Sequence, residues 1–123
     1  MTREIKFRAW EKDKKTMLTW EKLTPHYHQL IVGLMTDPTD EMPLMQFTGL
    51  HDKFGKEIYE CDIVRGNLAN EMGSYENSVG KVFFNTDRAE FAIECETYPD
   101  NQWSIPRDIE VIGNLFENPE LLR

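Results

Sequence analysis

The residues able to do chemistry in this chain are few, and their spacing argues for little. His26 and His28 would share one face of a strand, and His51, Cys61 or Cys95 could complete a metal-ligand set. The separation of the two cysteines fits no zinc-knuckle pattern. Neither a Cys-x-x-Cys nor a His-Glu-x-x-His run occurs, so surface histidines are the favoured reading and no metal is expected. Cys61 with His51 and Asp62 has the composition of a nucleophile and its helpers, but the three crowd one turn and nothing in their spacing fixes a geometry. Glu57, Glu60 and Asp62 could form an acid/base pair. Asp62, placed directly before Ile63-Val64, reads more simply as a turn residue accepting backbone N–H bonds where a strand starts. The run Gly49-Leu50-His51-Asp52-Lys53-Phe54-Gly55 lacks the Gly-Lys-Ser/Thr ending of a phosphate loop, and no Gly-x-Ser-x-Gly elbow is present. These residues point to no enzyme, no cofactor and no small-molecule substrate.

At 123 residues the chain is expected to form one domain with a core that needs no metal or disulfide staple. Its apolar fraction of 40% is ordinary, and its aliphatic and aromatic residues argue against disorder. No apolar run is long enough to span a membrane, and the first residues carry no apolar leader. Cys61 and Cys95 read as reduced, partly buried thiols rather than a disulfide. The acidic excess, 22 carboxylates against 14 lysines and arginines, gives a net charge of −8 and argues against general affinity for nucleic-acid backbones. Lys6, Arg8, Lys12, Lys14 and Lys15 gather near the N-terminus, where the simplest reading is a hairpin with charged, solvated edges.

The elements that would position these residues are mostly strands. Ile5, Phe7 and Ala9 alternate with Lys6, Arg8 and Trp10, the period of a half-buried strand, which places Trp10 on the wet face. Thr16 to Trp20 returns after a polar turn. Residues 21–35 fit a helical stripe through Trp20, Leu23, Tyr27, Leu30 and Ile31, capped at Thr24-Pro25. They fit a strand equally through His26-Tyr27-His28, and extended structure is preferred. Thr36 to Pro43 is a loop. Leu44 to Thr48 should be a strand, followed by a bend at Gly49 and a turn over Asp52 to Gly55, both glycines taking positive φ. Tyr59 is expected to be half-buried with its hydroxyl bonded across a barrel mouth. Strands follow near Ile58, from Asp62, and over Gly80–Phe84, Glu90–Glu94 and Ile109–Ile112. Asn67 to Ser78 reads as an exposed loop. Asn118-Pro119-Glu120 should cap a short terminal helical turn. Many short strands separated by turns indicate a mainly β fold.

The runs Gln46-Phe47-Thr48-Gly49-Leu50-His51-Asp52 through Arg65 and Ile109 through Leu122, with the opening Arg3 to Trp10, resemble the signature blocks of the YopX-like family of phage and prophage proteins. The spacing of Gly49, Asp52, Gly55, Tyr59 and Asp62 is intact. Cys61 stands where that family usually has Gly, and Phe54 where it more often has Asn. The resemblance implies a small, strongly bent β-barrel of Src-homology-3 type over residues 44–116. Residues 1–43 would form an N-terminal hairpin and variable segment, and 117–123 a terminal helical turn. That family has no established activity, and the lack of an export signal implies the cytoplasm of a bacterial host. The expected role is a non-enzymatic protein-interaction module, contacting itself as a homo-oligomer or a phage or host protein. Arg8, Trp10, Asp52, Tyr59 and Asp62 are the candidate contact residues, and Trp10 is the preferred anchor. The alternative is a nucleic-acid-linked role, as a DNA mimic or nucleic-acid binder.

Overall fold

The computed structural model describes residues 4–23, 42–70, 73–95 and 98–122. The chain divides into two compact units, Met1–Phe47 and Thr48–Arg123.

The first unit is built on the N-terminal hairpin. Strand β1 (Phe7–Glu11) pairs antiparallel with β2 (Thr16–Leu18), setting Ala9 opposite Leu18 and Trp10 opposite Met17. On its other edge β1 pairs with β3 (Leu44–His51), setting Ala9 opposite Leu44. Ala9 and Leu23 are fully buried, with Leu18, Trp20, Met42 and Leu44 packed against them. The Phe7 and Trp20 rings lie 6.0 Å apart. Over residues 21–23 the expected extended backbone is replaced by a helical turn: the Thr19 carbonyl accepts both the Lys22 and Leu23 N–H groups at 3.0 Å. Residues 24–35, including His26 and His28, lie outside the described residues.

The wet face expected for β1 is also corrected. Trp10 retains only 8% exposure and Lys6 likewise 8%, whereas Ile5, expected on the apolar face, is 55% exposed just before the strand begins. Ala9 and Trp10 point to opposite faces of β1 and both are buried, so the strand is covered on two faces rather than one. The Lys6 ammonium is accommodated by Glu4 at 3.1 Å and by the Phe47 ring, whose centroid is 4.9 Å away.

The second unit carries the bent barrel. Strands β5 (Asp62–Asn70), β6 (Gly73–Asn85), β7 (Glu90–Cys95) and β8 (Tyr98–Ser104) form an antiparallel meander, and β9 (Glu110–Asn114) returns to pair with β5. The resulting order β8-β7-β6-β5-β9 is that of a Src-homology-3-type barrel. Register shifts between Gly66 and Leu68, Ile63 and Val64, and Glu94 and Cys95 bend the sheet. The core is Ile58, Val64, Leu68, Val82, Ile93, Trp103, Ile109 and Val111. Each such side chain contributes about 1.5–3 kcal/mol by leaving water. Strand β4 (Glu57–Tyr59) lies next to β3, where the Thr48 hydroxyl donates to the Ile58 carbonyl at 2.7 Å. The terminal helical turn is a 3-10 turn over Pro119–Leu122.

Asn67 to Ser78 is not the expected loop: on both sides of residues 71–72 it is strand, the end of β5 and the start of β6. Among its described residues Asn67, Ser74, Glu76 and Asn77 are exposed, while Leu68 is buried and Tyr75 meets Trp103 edge-on at 5.7 Å. β8 was likewise not anticipated; Pro99 is tolerated there because β8 is an edge strand. Among the described residues no helix is long and apolar enough to cross a membrane.

The burial of Trp10 makes Trp10→Ala a cavity mutation. Urea unfolding of the full chain should show a loss of about 3 kcal/mol or more. A loss below about 1 kcal/mol would mean that the ring's burial contributes little.

Candidate functional site

The signature residues form the frame around which any site must be built. The Asp52 carboxylate closes the turn that follows β3. One oxygen accepts the Phe54 N–H at 2.9 Å and the Lys56 N–H at 2.8 Å, and the other accepts the Val111 N–H at 3.0 Å. The backbone completes the turn, with the Asp52 N–H donating to the Lys56 carbonyl at 2.7 Å and the Gly55 N–H donating to the Asp52 carbonyl at 3.0 Å. The Lys53 N–H donates to the Ile109 carbonyl at 2.9 Å, so the turn is tied to the chain on both sides of Glu110. Gly49 and Gly55 take the expected positive φ, 88° and 86°. Burial alone would raise the Asp52 pKa. The N–H groups of Val111, Lys56 and Phe54 and the nearby Lys56 charge outweigh that, and the net shift is downward from 3.8.

A second carboxylate does similar work one turn later. Asp62, 2% exposed, accepts the Tyr59 N–H at 2.8 Å, as expected for a strand-start residue. Between them Cys61 holds φ at 69°, donates its N–H to the Val82 carbonyl and accepts the Leu115 N–H, both at 2.8 Å. The position thus requires the left-handed backbone that Gly adopts freely and Cys does not. Tyr59 is buried rather than half-buried. Cys95 is buried and its thiol is pushed upward by burial and by Glu94, which leaves it protonated and inert near neutrality.

Of the anticipated contact residues, Asp52, Tyr59 and Asp62 belong to the second unit and are buried in turn construction. Trp10 is buried in the first, and Arg8 is half-buried there opposite Met45. Tyr59 and Asp62 are in direct contact through the bond above. His51 is exposed at the end of β3. Among the described residues no group of three His, Cys, Asp or Glu side chains could hold a metal.

What the frame leaves outside is more informative. Phe54, at the tip of the Asp52 turn, is 71% exposed. The Lys53 ammonium sits 5.3 Å from its ring centroid. Lys53 also lines an open polar groove with Arg65, Gly66, Asn67, Asn77, Asp108 and Glu110. Asn77 has φ 51°, and its N–H donates to the Asn67 side-chain oxygen at 2.9 Å across the bulge in the β5–β6 hairpin. A turn that sets one aromatic ring in solvent beside a charged groove can present a contact surface. Sequence reasoning did not select Phe54 as a contact residue. The available signal was its departure from the family's usual Asn.

A family model described as YopX protein matches residues 6–123. The fold is similar to the crystal structure of protein EF1440 from Enterococcus faecalis, with a TM-score of 0.62 and 25% identity, covering 99% of this chain and 100% of that one. A search of the curated proteins finds no match.

Asp52→Ala should destabilise the chain by about 2–4 kcal/mol, since it removes the acceptor of three N–H groups and strands the buried one of Val111. Because the folded pKa is below the unfolded one, this stabilisation is present above the unfolded value and is lost as pH falls through the folded value. Chemical denaturation from neutral to acid pH should show the gap between wild type and Asp52→Ala closing; a gap constant with pH would refute the clamp.

Cys61→Gly should raise stability by about 0.5–1 kcal/mol through relief of the left-handed backbone, and Gly55→Ala should lower it by about 1 kcal/mol. Thermal melts of the two variants check both signs. No change in either would disprove the positive-φ requirement.

Proposed function

We propose that this chain, which belongs to the YopX protein family, is a non-enzymatic interaction module that presents the Phe54 turn to a protein partner. The setting that fits is an accessory protein of a phage or prophage, with a partner drawn from the phage, the bacterial host or a second copy of the chain. The observation that carries this reading is the 71% exposure of Phe54 on a turn whose backbone is fixed by the Asp52 carboxylate. A large exposed ring in water gains free energy when covered. A turn already held in one conformation has little backbone entropy left to lose on binding, so more of that gain survives as affinity. Nothing in the groove favours a DNA mimic, because its carboxylates are interleaved with Lys53 and Arg65 rather than set in a phosphate-like row.

Phe54→Ala tests the reading. Its melting temperature should match wild type, since the ring is largely in water. Association is then measured by light scattering and by capture with the tagged full chain in the bacterium that carries it. The expected result is a complex formed by wild type and lost in Phe54→Ala. A wild-type chain that forms no complex, or a variant that retains every wild-type association, would overturn the proposal.

A further inference from the structure

We infer that the Phe54 turn takes an acidic segment of a protein partner, one in which carboxylates flank apolar side chains. The inference rests on the interaction reading above and adds the chemistry of the partner.

The sign of the charge follows from what the turn buries. Of residues 49 to 56, every one is exposed except Asp52. The stretch holds two lysines, Lys53 and Lys56, against that one carboxylate, a surplus of one positive charge in a chain of net −8. The Asp52 carboxylate faces the fold, where it accepts its three backbone N–H groups, while both lysines stand in water. Among the described residues neither lysine lies within ion-pair distance of a carboxylate. The groove that Lys53 also lines does not reverse the sign. Arg65 is exposed there and its partner Glu110 is the less exposed of the two. Turn and groove together thus put three cations in water, Lys53, Lys56 and Arg65, and only Asp108 of their three carboxylates. A partner's carboxylates complement that surface, and its cations do not.

The backbone decides what carries those carboxylates. A bare anion is held by a row of unused N–H groups, and this turn has none to offer. The Asp52 N–H donates to the Lys56 carbonyl, Lys53 to the Ile109 carbonyl, Gly55 to the Asp52 carbonyl, and Phe54 and Lys56 to the Asp52 carboxylate. Recognition therefore falls to side chains, and these are mixed. Phe54 is 71% and Leu50 46% exposed on the same turn, and the Lys53 ammonium sits 5.3 Å from the Phe54 ring centroid. A segment that sets acids beside apolar side chains answers both kinds of group. A nucleic-acid strand answers them poorly, because its phosphates run on past the turn and meet the field of net −8. A short acidic segment escapes that field, since salt screens charges beyond about 8 Å at physiological ionic strength.

The test uses the full chain and three labelled probes, by fluorescence anisotropy at about 0.15 M ionic strength. One is a synthetic peptide with leucines set among glutamates, the second has serine for each leucine, and the third is a single-stranded oligonucleotide of equal charge. The glutamate–leucine peptide should bind, and the other two should bind about tenfold more weakly or not at all. Lys53→Gln with Lys56→Gln should weaken the first peptide about three- to tenfold, the sum of two exposed ion pairs. Phe54→Ala should weaken it about threefold or more. Lys12→Gln with Lys14→Gln removes the same charge from two exposed lysines of the first unit, in a stretch without a large apolar residue, and should leave affinity unchanged. Lys53→Gln alone, about twofold weaker, serves if the double change lowers the melting temperature. No binding of the glutamate–leucine peptide, equal weakening by the two double variants, or equally tight binding of the serine peptide or the oligonucleotide would overturn the inference. A complex captured through Phe54 that persists undiminished in Lys53→Gln with Lys56→Gln would overturn it too, and would leave the interaction reading standing. Absence of any captured complex would instead overturn that reading itself.

Discussion

The structure of the second unit depends on one buried carboxylate. Asp52 gathers three backbone N–H groups, two from its own turn and one from β9, nearly sixty positions later in the chain. Without it, β9 would lose its side-chain tie to the turn, leaving the backbone bond from Lys53 to Ile109 and the β5–β9 ladder to hold that edge. An ionised acceptor is worth more here than a neutral one, because hydrogen bonds to a charged group are roughly twice as strong. The burial that would otherwise penalise the charge is offset by the same N–H groups. Asp62 repeats the device at the start of β5. Asn114 and Asn118 repeat it with neutral side chains: the Asn114 oxygen accepts the Phe116 and Glu117 N–H groups, and the Asn118 oxygen accepts the Asn114 N–H. Each is a polar side chain finishing a turn that backbone bonds alone leave incomplete.

This explains why the turns could be read from the sequence. Asp52, Gly55 and Asp62 act over two to four residues, a range at which residue type nearly dictates geometry. The strands starting at Leu44, Asp62 and Glu90 were legible because each is a short run rich in apolar residues between turn residues. Asn67 to Ser78 was not. Its strand character comes from cross-strand pairing and from Leu68 and Tyr75 packing on the core, and a hairpin with few apolar residues has the composition of a loop. β1 failed in the opposite sense. Its alternation is clear, yet the burial of Trp10 depends on what lies over the second face, which no local pattern encodes. At residues 20–23 the two periods competed, and the backbone bonds to Thr19 decided for the helical turn.

The candidate site was the least legible part, and the reason is physical. The residues from which the resemblance was read, Gly49, Asp52, Gly55, Tyr59 and Asp62, are occupied with positive φ, turn closure and burial. They specify a barrel. A surface that meets a partner is under no such constraint from the fold, so its residues carry no spacing rule that a single sequence could reveal.

The two departures from the family pattern sharpen that distinction. Cys61, where the resemblance implies Gly, has φ 69°, which strains the backbone, and nothing in the structure explains it. Phe54, where the resemblance implies Asn, stands on a turn whose bonds are made by the Asp52 side chain and by backbone, so the turn gains no closure from its ring. The ring sits mostly in water, and its one described contact is the neighbouring Lys53. Cys61 thus marks a backbone strain that the barrel tolerates, and Phe54 a ring whose removal the fold should tolerate, so the two positions separate what the barrel requires from what it merely permits.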